Sequence, residues 1–117
     1  YKYNGGVAVG TTIYFVPYVE DTIGKLDTTT NIFSTVAMTP TVDGKYSGGV
    51  AVGTTIYFAP YHANAIGKLD TTTDTFSTVA MTPTADSKYS GGVAVGTTIY
   101  FVPSNEDAIG KLETYGV

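Results

Sequence analysis

The chemistry open to this chain is narrow. His62 is its single imidazole, Cys is absent, and all six basic residues are Lys. Without Cys there is no disulfide framework, no thiolate nucleophile and no Cys-built zinc site. A Ser, His and Asp set can be written as Ser47, His62 and Asp70, yet no nucleophile elbow or other positional signature accompanies it. Glu20-Asp21 and Glu106-Asp107 offer carboxylate oxygens, but neither pair lies in a loop with the alternating acidic spacing of a calcium site. The glycine pairs Gly5-Gly6, Gly48-Gly49 and Gly91-Gly92 precede no helix and no Gly-Lys-Ser/Thr, so they are not phosphate loops. No catalytic residue, metal ligand or cofactor is assigned, and the expectation is a protein that is not an enzyme.

Binding is easier to place. One loop differs between internal repeats, reading Val19-Glu20-Asp21-Thr22, then His62-Ala63-Asn64-Ala65, then Ser104-Asn105-Glu106-Asp107-Ala108. A loop that varies on a constant scaffold is where a binding face is tuned, although exposed loops also tolerate change for no functional reason. Tyr18 and Tyr61 flank it, and Ser104 takes their place in the third copy. Aromatic rings on a rigid rim stack on sugar faces. Tyr18, Tyr61, His62, Asn105 and Glu106 are therefore the candidate ligand-binding residues of a lectin-like reading with glycans as partners. Tyr3, Tyr14 and their repeats are read as core.

The elements that must position these residues come from a tandem repeat. Tyr3, Tyr46 and Tyr89 are 43 residues apart, as are the glycine pairs that follow them. Residues 2–44 and 45–87 differ at ten of 43 positions: Asn4, Val16, Val19, Glu20, Asp21, Thr22, Asn31, Ile32, Val42 and Gly44. The third unit, 88–117, is incomplete, so the chain 1–117 reads as one repeat array. Val, Ile, Thr, Tyr and Phe dominate each unit, and Gly, Pro and Thr punctuate it, which is a strand composition. Four strands are expected in the first copy, over Tyr3 to Val9, Thr12 to Tyr18, Ile23 to Thr28 and Ile32 to Met38. Asp27 and Asp70 are expected to accept backbone hydrogen bonds in the third turn.

Thr12-Ile13-Tyr14-Phe15-Val16 carries bulky apolar side chains on consecutive positions, hence on both faces of its sheet. Such a sheet must be covered twice, as in radially stacked four-stranded blades, whose repeat lengths of about 40 to 50 residues bracket this one. The fold class expected is all-β, with tandem four-stranded antiparallel blades in a propeller-like array. The alternative is a β-trefoil, which also has three four-stranded repeats but does not call for a strand apolar on both faces. The run Gly48 to Phe58, followed by Ile66 to Val79, resembles a kelch-type propeller blade. It departs from that family where Ala59-Pro60 replaces a Gly-Gly doublet and Phe76 replaces a closing Trp. The resemblance implies a strand of small residues, an Ile-Tyr-containing strand, a hairpin and a closing strand in each unit.

Fewer than three full blades do not close a ring, since propellers usually need four or more. The third unit lacks a counterpart of Phe33 to Met38, which leaves its third strand as an edge. Apolar faces are expected to stay open on the outer blades, and exposing Ile99 and Phe101 would forfeit roughly 3 to 6 kcal/mol. Ile13, Phe15, Ile56, Phe58, Ile99 and Phe101 are therefore the expected self-association residues, in a ring or filament of copies or against further blades of the same polypeptide. The absent initiator Met and the start at a repeat boundary favour a piece of a longer array. A net charge of −4 without Arg argues against nucleic acid, and no stretch approaches the roughly 20 apolar residues of a membrane span. The Thr-rich, Arg-free composition fits an extracellular or cell-surface setting. Thr28 to Thr30, Thr71 to Thr73, Thr39-Pro40-Thr41 and Thr82-Pro83-Thr84 are candidate O-glycosylation sites.

Overall fold

The computed structural model describes residues 2–39, 42–81 and 87–115. Every element among them is a strand. The first sheet holds β1 (Tyr3–Val9), β2 (Thr12–Pro17), β3 (Thr22–Asp27) and β4 (Ile32–Ala37) in chain order. The second holds β5 (Tyr46–Val52), β6 (Thr55–Pro60), β7 (Ala65–Asp70) and β8 (Thr75–Ala80), again in chain order. The third holds β9 (Tyr89–Val95), β10 (Thr98–Pro103) and β11 (Gly110–Glu113), with β11 at its edge. All pairings are antiparallel and, among the described residues, stay within one sheet, so these are separate propeller-like blades and the β-trefoil alternative falls.

Local chemistry sets the turns. Gly10, Gly53 and Gly96 hold the first link of each blade at φ 62, a backbone shape that a side chain opposes. In the third turn, Asp27 Oδ1 accepts the Thr29 amide at 2.9 Å and Asp70 Oδ1 accepts that of Thr72 at 3.0 Å, as the spacing predicts. The turn closes through Asn31 and Asp74 at φ 57 and 53, where Asn and Asp are the side chains best tolerated. The hydroxyls of Thr28 and Thr71 donate to the carbonyls of Thr11 and Thr54. Those of Thr29 and Thr72 donate to Asp27 and Asp70, that of Thr73 donates to Thr75, and that of Thr30 accepts the Ile32 amide, so all six of these candidate glycosylation hydroxyls are already engaged. Thr39 is exposed, while Pro40, Thr41, Thr82, Pro83 and Thr84 lie outside the described residues.

The innermost strands β1, β5 and β9 are neighbours, and their glycines explain why. A Cβ on Gly5 would stand 3.3 Å from Gly48 Cα, and one on Gly48 would stand 3.1 Å from Gly91 Cα. Only a residue without a side chain lets the backbones crowd this closely near the axis.

The second blade buries one set of side chains forward, towards the third, and the alternate set backward, towards the first. Val7, Val9, Tyr14, Val16, Ile23 and Val36 of the first blade meet Tyr46, Ala51, Ile56, Phe58, Leu69 and Phe76 of the second. Val50, Val52, Tyr57, Ala59, Ile66 and Val79 of the second then meet Tyr89, Ala94, Ile99, Phe101 and Leu112 of the third. The expectation that Ile99 and Phe101 stand in water is therefore corrected, since they are 0% and 1% exposed against the second blade. Ile56 and Phe58 are likewise buried, inside the first interface. The open face of the third blade is the opposite one, with Val93, Val95, Tyr100, Val102 and Ile109 exposed.

Candidate functional site

Among the described residues, two open blade faces and one loop cluster offer surfaces where this chain can meet something else. The backward face of the first blade carries Tyr3, Ile13, Phe15, Leu26 and Phe33. Strand register puts Ile13 opposite Leu26 and Leu26 opposite Phe33, all on that side. Tyr3 and Phe15 have ring centroids 6.0 Å apart, and Phe15 and Phe33 6.4 Å. The second blade builds the same trio from Tyr46, Phe58 and Phe76, with Tyr46–Phe58 at 5.6 Å and Phe58–Phe76 at 6.4 Å. There it is covered by the first blade's forward face. Of the predicted self-association residues, Ile13 and Phe15 thus lie on an open face, whereas Ile56, Phe58, Ile99 and Phe101 hold the chain's own blades together. A shallow depression of about 290 Å³ on the opposite open face is lined by Val93, Tyr100, Val102 and Ile109.

A polar clamp marks the first interface. Lys25 Nζ lies 2.5 Å from Asp74 Oδ2, and the Tyr14 hydroxyl donates to Asp74 Oδ1 at 3.1 Å. The hydrogen bond to Asp74 holds the Lys25 ammonium above its ordinary pKa, while burial, with Asp74 second, raises the Tyr14 phenol. Tyr57 and Lys68 repeat the first two members on the second blade, and Tyr100 and Lys111 repeat them on the open face of the third.

The loops between second and third strands are bolted down by lysines. Lys45 is fully buried; its ammonium donates to Val19 O at 3.0 Å and pairs with Asp21 Oδ1 at 3.0 Å. Lys88, 1% exposed, reaches Ala63 O at 2.8 Å. A Lys at the head of every unit was the signal available for these two buried cations, and the sequence reading did not use it. Tyr46 is also buried, its hydroxyl has no hydrogen-bond partner, and burial pushes its pKa far up.

Three of the five predicted ligand-binding residues come together. Tyr18 and Tyr61 are 5.9 Å apart between centroids, tilted by 44°, and Tyr61 lies 4.7 Å from the His62 ring. His62 Nδ1 is 3.2 Å from Asp43 O and Nε2 is 3.2 Å from Ser87 Oγ. A carbonyl only accepts, so Nδ1 is the donor to Asp43 O. The backbone N–H of Asn105 donates to Ser87 O at 3.0 Å. Glu106 is half-buried and raises the pKa of Tyr89 by its charge, after burial. A groove of about 320 Å³ beside the row is lined by Thr39, Val42, Tyr46, His62, Asn64 and Thr78, among others. Ser47 and Asp70 are engaged elsewhere, with Asn4 and with Thr72, so the triad written from sequence is not assembled. Among the described residues no three His, Asp or Glu side chains gather as a metal site, and no helix is long and apolar enough to cross a membrane.

No family model matches the chain, so the kelch-type likeness gains no support there, and no curated protein matches it. Solved structures do. A streptogramin B lyase structure superposes with a TM-score of 0.77 at 18% identity, over 96% of this chain and 37% of that one. Hydrazine synthase from Kuenenia stuttgartiensis gives 0.76 at 16% identity, over 97% of this chain and 33% of that one. Both are β-propeller-like proteins, and at these identities the likeness is one of fold. The chain spans about a third of the length of each.

Proposed function

We propose that the chain is a non-catalytic interaction module whose open blade faces join head to tail with those of a second copy. One observation carries this reading: the chain bears both halves of a contact that it already makes twice. Tyr3, Ile13, Phe15, Leu26 and Phe33 repeat residue for residue the second blade's buried face, Tyr46, Ile56, Phe58, Leu69 and Phe76. Val93, Tyr100 and Val102 repeat the positions Val7, Tyr14 and Val16 that cover it. Burial of each large side chain is worth about 1.5 to 3 kcal/mol, so several per face outweigh the cost of ordering an exposed patch. Such a heterologous contact closes into a ring if the rotation allows and otherwise runs on as a filament. In a longer polypeptide the same faces would take further blades in cis, which is how a partial propeller is completed.

Light scattering on three samples tests it. The wild-type chain is expected to exceed the monomer mass of 12.3 kDa, while Phe15→Asp and Val102→Asp are each expected to be monomeric. Mixed together, the two variants retain one intact pair of faces and are expected to form a 1:1 dimer and nothing larger. A monomeric wild type at every concentration, or variants that assemble unchanged, would refute the reading.

A second reading, glycan binding, is favoured by the continuous row of Tyr18, Tyr61 and His62 on the varied loops. Glycan-array binding lost in Tyr18→Ala/Tyr61→Ala would support it, and silence across a broad array would end it.

A further inference from the structure

The groove beside the tyrosine row has a buried hydroxyl at its floor. Tyr46 is 0% exposed, and its phenol oxygen makes no hydrogen bond among the described residues. Its ring passes over Gly67, where an added Cβ would come within 2.9 Å of Tyr46 Cζ. Gly67 pairs with Thr78, and Thr78 and Tyr46 both line the groove, which places the end of the phenol beneath it. Burial raises the pKa of this group, so it keeps its proton and can donate. A buried donor left unmatched is costly, and an acceptor that entered the groove would relieve that cost.

The repeat supplies a second, independent sign. Val42, His62, Ala63, Asn64 and Ala65 line the groove, and all five stand at positions where the first two units differ. The loop before β7 provides three of them, Ala65 opens β7, and Val42 comes from the link before β5. Two separate segments therefore depart from the repeat at one place. The direction of the change is chemical: the first unit has Glu20 and Asp21 where the second has Ala63 and Asn64, and the third has Glu106 and Asp107. The second unit alone has lost its carboxylates here. No Asp, Glu or Lys is among the described residues that line the groove.

We propose that this groove binds a small neutral molecule with an apolar body and one carbonyl or ether oxygen, which accepts a hydrogen bond from the Tyr46 hydroxyl. The methyl groups of Val42, Ala63 and Ala65 receive the apolar body, and the loss of carboxylates suits a ligand without charge. At about 320 Å³ the groove stands at the lower end of the range for small-molecule sites. It lies between two blades of one chain, so it is independent of the contact between copies. It does not use the Tyr18 and Tyr61 rings on which glycan binding would rest.

The probe is acetophenone, with ethylbenzene, which lacks the oxygen, and benzoate, which is charged, as controls of similar size. Each is titrated into the intact chain, with NMR shifts of the backbone amides as the readout. Acetophenone is expected to move the amides of Ala63 to Ala65 and of Thr78, and to bind about threefold to tenfold more tightly than ethylbenzene. Benzoate is expected to bind more weakly than acetophenone. Tyr46→Phe removes the hydroxyl and keeps the ring. It is expected to bring acetophenone down to the affinity of ethylbenzene, which itself stays unchanged, whereas a hydroxyl with a merely structural role would leave the ratio of the two unaltered. No binding of acetophenone, shifts confined to other surfaces, benzoate or ethylbenzene binding as well as acetophenone, or a Tyr46→Phe chain that keeps the preference would overturn the proposal.

Discussion

At the scale of single residues, the third turn shows how one methylene redistributes a hydrogen-bond network. Asp27 and Asp70 accept from the amide and hydroxyl of the Thr two positions on, and those bonds hold both carboxyls below the ordinary range. Glu113 stands at the same repeat position. Its longer arm reaches Thr97 and Thr98 hydroxyls at 2.7 and 2.6 Å as well as the Tyr115 amide at 2.8 Å. The Thr98 and Thr97 bonds, in that order, bring its pKa from 4.5 down to about 2. A carboxyl depressed by folding stabilises above its unfolded pKa and loses that contribution as pH falls through the folded one. Stability is therefore expected to decline between pH 4.5 and about 2, with Asp27 and Asp70 acting in the same direction. Denaturant titrations across that range should show a shallower decline for Glu113→Gln.

At the scale of elements, the strands were legible because alternation, Gly links and Thr-rich turns all point the same way. The expected Tyr3 to Val9 strand coincides with β1, and the other expected strands match the start of β2, β3 or β4 to within one residue. Which side of each strand meets the next blade was not legible. Both faces of Thr12 to Val16 are apolar, so the hydrophobic pattern is symmetric, and the choice falls to the handedness with which twisted sheets stack. That is why Ile99 and Phe101 were expected in water and lie in an interface instead. The Tyr14, Lys25 and Asp74 clamp was hidden for a related reason: its members are 49 and 60 residues apart, and stacking alone brings them together. Asp74 did leave a trace, as one of the ten differing positions. The inner strands make the stacking testable. Gly48 is held at φ +76 with the next blade's backbone 3.1 Å from its missing Cβ, whereas nothing lies within 4 Å of that of Gly91. Gly48→Ala is expected to cost about 1 to 3 kcal/mol from backbone strain, plus the clash. Gly91→Ala, at φ +144, is strained as well but meets no such wall, so chemical denaturation of the two variants should show the extra cost of the clash at Gly48.

For the whole molecule, the decisive property is that its ends match each other. In the proposed contact between copies, Tyr100 and Lys111 of one chain would face Asn31 of the next where Tyr14 and Lys25 face Asp74 within a chain. Asn offers one accepting oxygen where Asp74 offers two, and brings no charge, so the contact between chains is expected to be weaker than the contact within one. Asn31→Asp restores the ion pair, worth about 0.2 to 1 kcal/mol at a partly exposed site, and should lower the dissociation constant by up to about fivefold in sedimentation equilibrium. An unchanged constant would mean that this turn does not sit in the contact.

The same clamp has a consequence for how the chain finds its fold. Repeats this alike offer a folding blade several interchangeable neighbours, its own and those of any other chain nearby, and repeat proteins fail by such exchange. The backward face of the second blade differs little from that of the first, so apolar packing alone barely separates the correct partner from a stranger. Asp74 serves as an address label, a carboxylate carried by one turn and missing from its counterpart at Asn31. Refolding from dilute solution is expected to give a label of this modest strength time to act, and refolding at high concentration to yield more mispaired multimers.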